Sequence, residues 1–253
     1  MPADTMTSFN LEIVANFWPV NAALPTIEEH YAKLWRFAKA LQAIGIPLDE
    51  WHPPADTPAN SLLNLAFGDD GPTPAALSMA HADKASRATD LRSLGVWNGI
   101  DGEGGMAFTT MLKTSVRPST FEFSVKGSGP LKDVSNALKV VQAVLDIWSP
   151  VMVLVGPYGY EELKVFNDRP PVSWMAYLPL KIETHQAPDA SRLVPVIDSD
   201  GRQKGTVVVS VLETFDFENQ EHVKRANQLE IRLADQDLLP RFMDFMKLRP
   251  SGD

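Results

Sequence analysis

The stretch that most constrains what this chain can fold into is residues 133–156, DVSNALKVVQAVLDIWSPVMVLVG, where an amphipathic helix feeds straight into the most continuously apolar run of the sequence. Val134, Leu138, Val141, Leu145 and Trp148 recur at i, i+4, i+7, i+11 and i+14, which lines them along one face of a 3.6-period helix. Asp133 and Ser135 both qualify as N-caps, and Pro150 stops the helix because it excludes the α region at Ser149. Residues 151–155, Val-Met-Val-Leu-Val, show no polar alternation and predict a strand covered on both faces, near the middle of a sheet. This is the centre of a core and holds no catalytic pattern.

Strand signals gather on either side of it. Leu11, Ile13, Ala15 and Phe17 sit at period two and predict a first strand over residues 9–17. Thr26 with Glu29 forms a capping box opening a helix whose buried face is Ile27, Tyr31, Leu34, Ala38 and Leu41, with Gly45 at its C-terminal turn. A short strand is expected over 48–51. A proline-rich excursion follows over 53–76, then a short helix over 79–91 carrying Lys84, Arg87 and Arg92. Residues 93–97, 106–114 and 120–126 read as an antiparallel meander, and Phe121, Phe123 and Val125 alternate with Glu122 and Ser124, so that strand has one wet face. Further strands are expected at 173–180, 192–197 and 206–212. His222, Ala226, Leu229 and Leu233 mark a closing helix. The fold class is therefore α+β, a single domain over residues 1–245 with a mainly antiparallel sheet and at least three helices; 246–253 reads as a disordered tail.

Charge narrows the partners. Lys+Arg 23 against Asp+Glu 32 gives a net charge of −9 and a pI near 5.1. A field of that sign repels phosphate backbones, so direct nucleic-acid binding is disfavoured, whereas a basic protein is attracted. No run approaches the roughly 18 apolar residues of a membrane span, so no membrane contact is expected. The first twenty residues lack the basic and apolar regions of a secretory signal, which predicts a cytoplasmic protein. The chain contains no cysteine, and so no disulfide, thiol nucleophile or cysteine-bound metal.

Searches for chemistry return turns instead of sites. His30, His52, His81, His185 and His222 are all more than five residues apart, so no metal pair lies on one helix face. Asp198-Ser199-Asp200-Gly201 resembles the start of a calcium loop, but Val209 stands where the bidentate glutamate belongs, and a hairpin turn is the better reading. There is no nucleophile elbow, phosphate loop or dinucleotide fingerprint. No catalysis, metal or cofactor is expected. What remains is carboxylates on loops: Asp69 and Asp70, Asp101 with Glu103, and Asp216 with Glu218 are the candidate partner-binding residues, although turns in general are rich in such side chains. Of the six tryptophans, Trp18 and Trp51 lie beside expected loops and are the candidate aromatic anchors.

At Trp97-Asn98-Gly99, followed by the extended run 106–114, the sequence resembles immunity protein family 52 of the bacterial polymorphic toxin systems. The likeness extends to the N-terminal strand, to the helix with Tyr31 and Trp35, and to a closing strand and helix ending Asp237-Leu238-Leu239-Pro240. The resemblance implies an α+β protein that binds a cognate, restriction-endonuclease-like nuclease toxin delivered by a secretion system, and so protects the producing cell. No catalytic residues carry over. The alternatives are a hydrolase whose groups converge only in three dimensions and an adaptor of a secretion apparatus.

Overall fold

The computed structural model describes residues 9–19, 23–83, 90–114, 117–127, 129–245 and 247–248. Its first strand, β1 (Asn10–Phe17), is flanked in the sheet by strands made more than 100 residues later. The chain then runs through α1 (Ile27–Gln42), α2 (Pro58–Ser61), the two-residue strands β2 (Phe67–Gly68) and β3 (Gly71–Pro72), and α3 (Pro74–Ala82). Next come β4 (Leu91–Trp97), β5 (Met106–Lys113), β6 (Ser119–Lys126), α4 (Val134–Trp148) and β7 (Met152–Gly156). The last elements are β8 (Met175–Leu178), β9 (Arg192–Ile197), β10 (Gln203–Val209), α5 (Gln220–Asp235) and α6 (Phe242–Phe245). Eight strands form one sheet in the order β4-β5-β6-β1-β7-β8-β10-β9, every neighbouring pair antiparallel, and β2 and β3 make a separate hairpin.

Local chemistry sets the helix limits. Thr26 Oγ1 accepts from the Glu29 N–H at 3.1 Å while Glu29 Oε2 accepts from the Thr26 N–H at 2.8 Å, completing the capping box. At the other end Gly45, at φ +91, lets its own N–H reach Gln42 O and the Ile46 N–H reach Leu41 O, so the turn satisfies the final carbonyls. Asp133 caps α4, accepting from Ser135 and Asn136 N–H at 2.7 and 3.0 Å. The buried stripe of α4 is wider than the expected one, because Ala137, Val140, Val144 and Ile147 are buried beside Val141, Leu145 and Trp148, while Val134 and Leu138 are partly covered.

Alternation along the strands divides the sheet into two faces. Leu11, Ile13, Ala15 and Phe17 of β1, with Phe121, Phe123 and Phe108, face α1 and α4. Phe37 of α1 stands in the centre of that core, its ring 4.7 to 5.7 Å from those of Phe108, Phe121, Phe123 and Trp148. On the opposite face, Met152, Leu178 and Val208 pack under Leu229 and Leu233 of α5, with Leu239 and Phe245 behind them. The strand β7 thus contributes to both cores, as its unbroken apolar run predicts. Among the described residues, the second face is covered over β7, β8, β10 and β9. Across β5, β6 and β1 its residues Ala107, Thr109, Thr120, Ser124, Glu12, Val14 and Asn16 are half-buried and Glu122 is exposed.

Several expected elements shift. The strand expected at 48–51 is a single 3-10 turn, Leu48–Glu50, after which His52 makes one isolated bridge to Trp97. The helix expected over 79–91 ends at Ala82, with Leu91 already in β4; Lys84 and Arg87 lie outside the described residues. The strand at 173–180 shortens to Met175–Leu178. The proline-rich stretch is an excursion from a single domain, since Trp51, Ala66, Phe67 and Ala76 carry it into the main core.

Candidate functional site

The loop displaying Asp101 and Glu103 is built by the Trp97-Asn98-Gly99 turn. Asn98 is buried; its Nδ2 donates to Gly104 O at 2.9 Å and its Oδ1 accepts from the Met106 N–H at 2.8 Å, so one side chain closes the whole loop. Trp97 Nε1 donates to Ser61 Oγ at 2.7 Å, and Ser61 in turn donates to Pro53 O. Gly99 has φ +76, and a Cβ there would stand 2.6 Å from Leu62 Cδ2. The motif is therefore a clasp between the β4–β5 loop and the proline-rich excursion. What it holds out to solvent is acidic: the Asp101 side chain is almost fully exposed, with Lys126 Nζ 3.9 Å away, and Glu103 is exposed beside it.

The loop borders the open half of the sheet. Glu12 and Glu122 lie diagonally across the β1–β6 pair on that face, since Glu12 pairs with Ser124 and Val14 with Glu122. Partial burial and the neighbouring Glu122 both hold the Glu12 carboxyl above its ordinary range. Two adjoining recesses meet there. One, of about 220 Å³, is lined by Glu12, Val14, Leu154, Tyr158, Pro171 and Ser173 among others. The second, of about 350 Å³, is lined by Glu12, Glu103, Ser124, Lys126 and Tyr158. Tyr158, 76% exposed, belongs to both. Ser173 has a left-handed backbone (φ 47) and a buried hydroxyl without a hydrogen-bond partner, and it packs so closely on Gly156 that a Cβ there would come within 1.9 Å of its Oγ.

The other sequence candidates fall elsewhere. Asp69 and Asp70 form the exposed turn of the β2–β3 hairpin, which is held on the α1 side by Trp35 Nε1 donating to Gly68 O at 2.9 Å. Asp216 and Glu218 lie in the turn before α5: the Asp216 N–H donates to His222 Nδ1 at 3.0 Å and Asp216 Oδ1 accepts from the Glu218 N–H at 2.9 Å. Between them Phe217 packs on Gly159, one residue along from Tyr158. Of the six candidates Glu103 thus lines a recess, with Asp101 on the same loop, while Asp69, Asp70, Asp216 and Glu218 line neither. Trp18 and Trp51, the expected anchors, are buried, and Tyr158 occupies the exposed aromatic position instead.

Sequence reasoning missed Glu230 of α5, which is fully buried. Its Oε1 accepts from the Val172 N–H at 2.9 Å and from Tyr160 Oη at 2.8 Å, and its Oε2 accepts from the Val165 N–H at 2.8 Å. Burial raises its carboxyl above the ordinary range, while these three donors and nearby Lys164 pull the other way. The network pins the segment between β7 and β8 that supplies Tyr158, Pro171 and Ser173 to the recess. Also unforeseen is His30 of α1, fully buried with neither ring nitrogen hydrogen-bonded, whose pKa burial lowers to about 3. His81 meets Glu28 at 2.7 Å on the surface, a half-exposed pair between α1 and α3. The carboxylate of Asp198 accepts from the Asp200 and Arg202 N–H groups, which makes its loop a hairpin turn. Among the described residues no cluster of three or more His, Asp or Glu forms a metal site, and no helix is long and apolar enough to cross a membrane.

No protein-family model matches this chain, and no curated protein matches it. Among solved structures it is similar to a Pseudomonas aeruginosa T6SS protein, at 14% identity and a TM-score of 0.49, covering 87% of this chain and 73% of that one.

Proposed function

We propose that this chain is an immunity protein that binds and neutralises a cognate nuclease toxin. One observation carries the reading: a partly uncovered sheet face, where carboxylates from β1 and the β4–β5 loop, Glu12 and Glu103, line a recess with an exposed tyrosine. A rigid acidic platform beside apolar recesses suits capture of a basic protein surface, in which charge sets the rate and selectivity and a desolvated aromatic centre sets the affinity. The resemblance at Trp97-Asn98-Gly99 names the partner class, and the clasp made by that turn gives it a physical role: it fixes the loop that presents Asp101 and Glu103. No histidine lines the recess that holds Ser173, so its hydroxyl is read as a hydrogen-bonding group and not as a nucleophile.

The test is to co-purify the chain with the product of its neighbouring gene, and then to measure nuclease inhibition and the association rate at several ionic strengths. A complex whose association slows steeply with salt, with loss of nuclease activity, is the expected result. Failure to form any complex overturns the assignment.

A further inference from the structure

The smaller recess is walled mainly by carbon: Val14, Leu154, Val155, Pro157 and Pro171. Its charged lining is acidic, with Glu12 from β1 and Glu161 from the turn after β7; Glu103 extends this through the adjoining recess, and Glu122 stands across from Glu12. The basic groups nearby already have carboxylate neighbours, Lys126 with Asp101 and Lys164 with Glu161. A polar atom is also waiting for a partner: the Ser173 hydroxyl is buried, unbonded, and held in a left-handed backbone conformation. An unsatisfied buried hydroxyl costs stability, and a donor arriving in the recess would remove that cost. Apolar walls with acidic side chains and one unbonded hydroxyl match a side chain with a long hydrocarbon stem and a cationic, donor-rich head.

We propose that the recess formed by Glu12, Tyr158 and Ser173 receives an arginine or lysine side chain of the protein partner, its stem against Val14, Leu154 and Pro171 and its head at the carboxylate and hydroxyl. This rests on reading the chain as a partner-binding protein and deepens it by naming where the partner's basic residue inserts. Arginine is favoured over lysine because its several N–H groups can serve Glu12 and Ser173 together. The raised pKa of Glu12 is consistent with the same idea, since an incoming cation offsets both the repulsion from Glu122 and the cost of partial burial. Tyr158, shared by both recesses, then packs along the inserted stem.

The first experiment titrates the isotope-labelled full chain with a blocked Gly-Arg-Gly peptide and with its neutral citrulline counterpart. Shift changes at Glu12, Val14, Leu154, Tyr158 and Ser173 with arginine, and about tenfold weaker binding of citrulline, are expected, a tenfold ratio being what the loss of one charge-assisted contact gives. Changes centred on Asp69 and Asp70, or equal binding of both peptides, overturn the proposal. Glu12→Gln and Ser173→Ala are each expected to weaken the arginine peptide roughly five- to tenfold. Ser173→Ala should at the same time leave the melting temperature unchanged or slightly higher, a combination that a purely structural serine does not give. The second experiment repeats co-purification with the neighbouring gene's product. If the complex forms as tightly with the Glu12→Gln/Tyr158→Ala double variant as with the natural chain, the recess is not the docking point and the immunity assignment stands. If no complex forms with the natural chain while the arginine peptide binds at the recess, the immunity assignment falls and the cation recess remains.

Discussion

One face of the same sheet solves two different problems. Over β7, β8 and β10 it is roofed by α5, and a carboxylate buried on that helix, Glu230, is matched by two backbone N–H groups and a phenol. Over β5, β6 and β1 none of the described residues forms such a roof, and Glu12 and Glu122 lie diagonally across the strand pair with no described donor bonded to Glu12. Burial raises both Glu230 and Glu12, so the difference lies in what answers the charge. Where the protein supplies every donor, the acid is structural. Where it leaves the charge unanswered at a surface, the acid is available to a partner.

The largest effects should come from breaking the roofed half. Glu230→Ala strands the Val165 and Val172 N–H groups and the Tyr160 hydroxyl, and should cost about 3–5 kcal/mol in urea unfolding, with Glu230→Gln costing less because an amide oxygen still accepts. Leu229→Ala, next to it under the same helix, belongs in the range of about 2–5 kcal/mol.

Next comes the pH dependence, read on the helix side. His30 is neutral in the fold and its pKa is lowered from 6.5 to about 3, so its stabilising contribution is present above pH 6.5 and is lost as pH falls toward 3. Glu230 runs the other way: its raised pKa means that its contribution is complete below its ordinary value and declines as pH rises through the folded value. Between pH 6.5 and 4.5, a His30→Leu variant should therefore lose less stability than the natural chain by about 2–3 kcal/mol, measured as the difference of two denaturation series.

The open half should respond weakly. Glu12→Gln should change stability by less than about 1 kcal/mol near neutral pH, and in the stabilising direction, since it removes the repulsion from Glu122 at a partly solvated site. Smallest of all, Thr109→Ala and Thr120→Ala on the open face should stay within about 0.5 kcal/mol of the natural chain in the same assay. A loss at these positions as large as at Leu229 would mean that the face is covered in solution, which would remove the contrast between the halves.

Elements set by local patterns were legible in the sequence, whereas contacts assembled from distant parts of the chain were not. Capping by Thr26 and Asp133, the unbroken run in β7 and the wet face of β6 are local patterns, and each is seen where expected. Glu230 was hidden because nothing local tells a buried glutamate on an amphipathic helix from a solvated one; its donors lie on a segment about 60 residues earlier. The recess was hidden for the same reason, since Glu12, Glu103, Tyr158 and Ser173 come from four parts of the chain and meet only through the pairing of β1 with β6 and β7. The acidic loops were visible as charge, yet the sequence could not show that Asp69 and Asp70 hang on the α1 side. Trp18 and Trp51 misled because adjacency to a loop says little about where an indole points.

The position of β1 has a consequence for how the molecule is made. Its two neighbours, β6 and β7, lie more than 100 residues downstream, so during synthesis the first strand leaves the ribosome with Leu11, Ile13, Ala15 and Phe17 unshielded and both hydrogen-bonding edges unclaimed. The hairpins β4-β5-β6 can assemble among themselves, but they end on a bare edge until β1 returns to fill it. Closure of the sheet is therefore a late, non-local event with a large loop entropy to overcome, and β1 is the segment most exposed to chaperones and to mispairing while it waits.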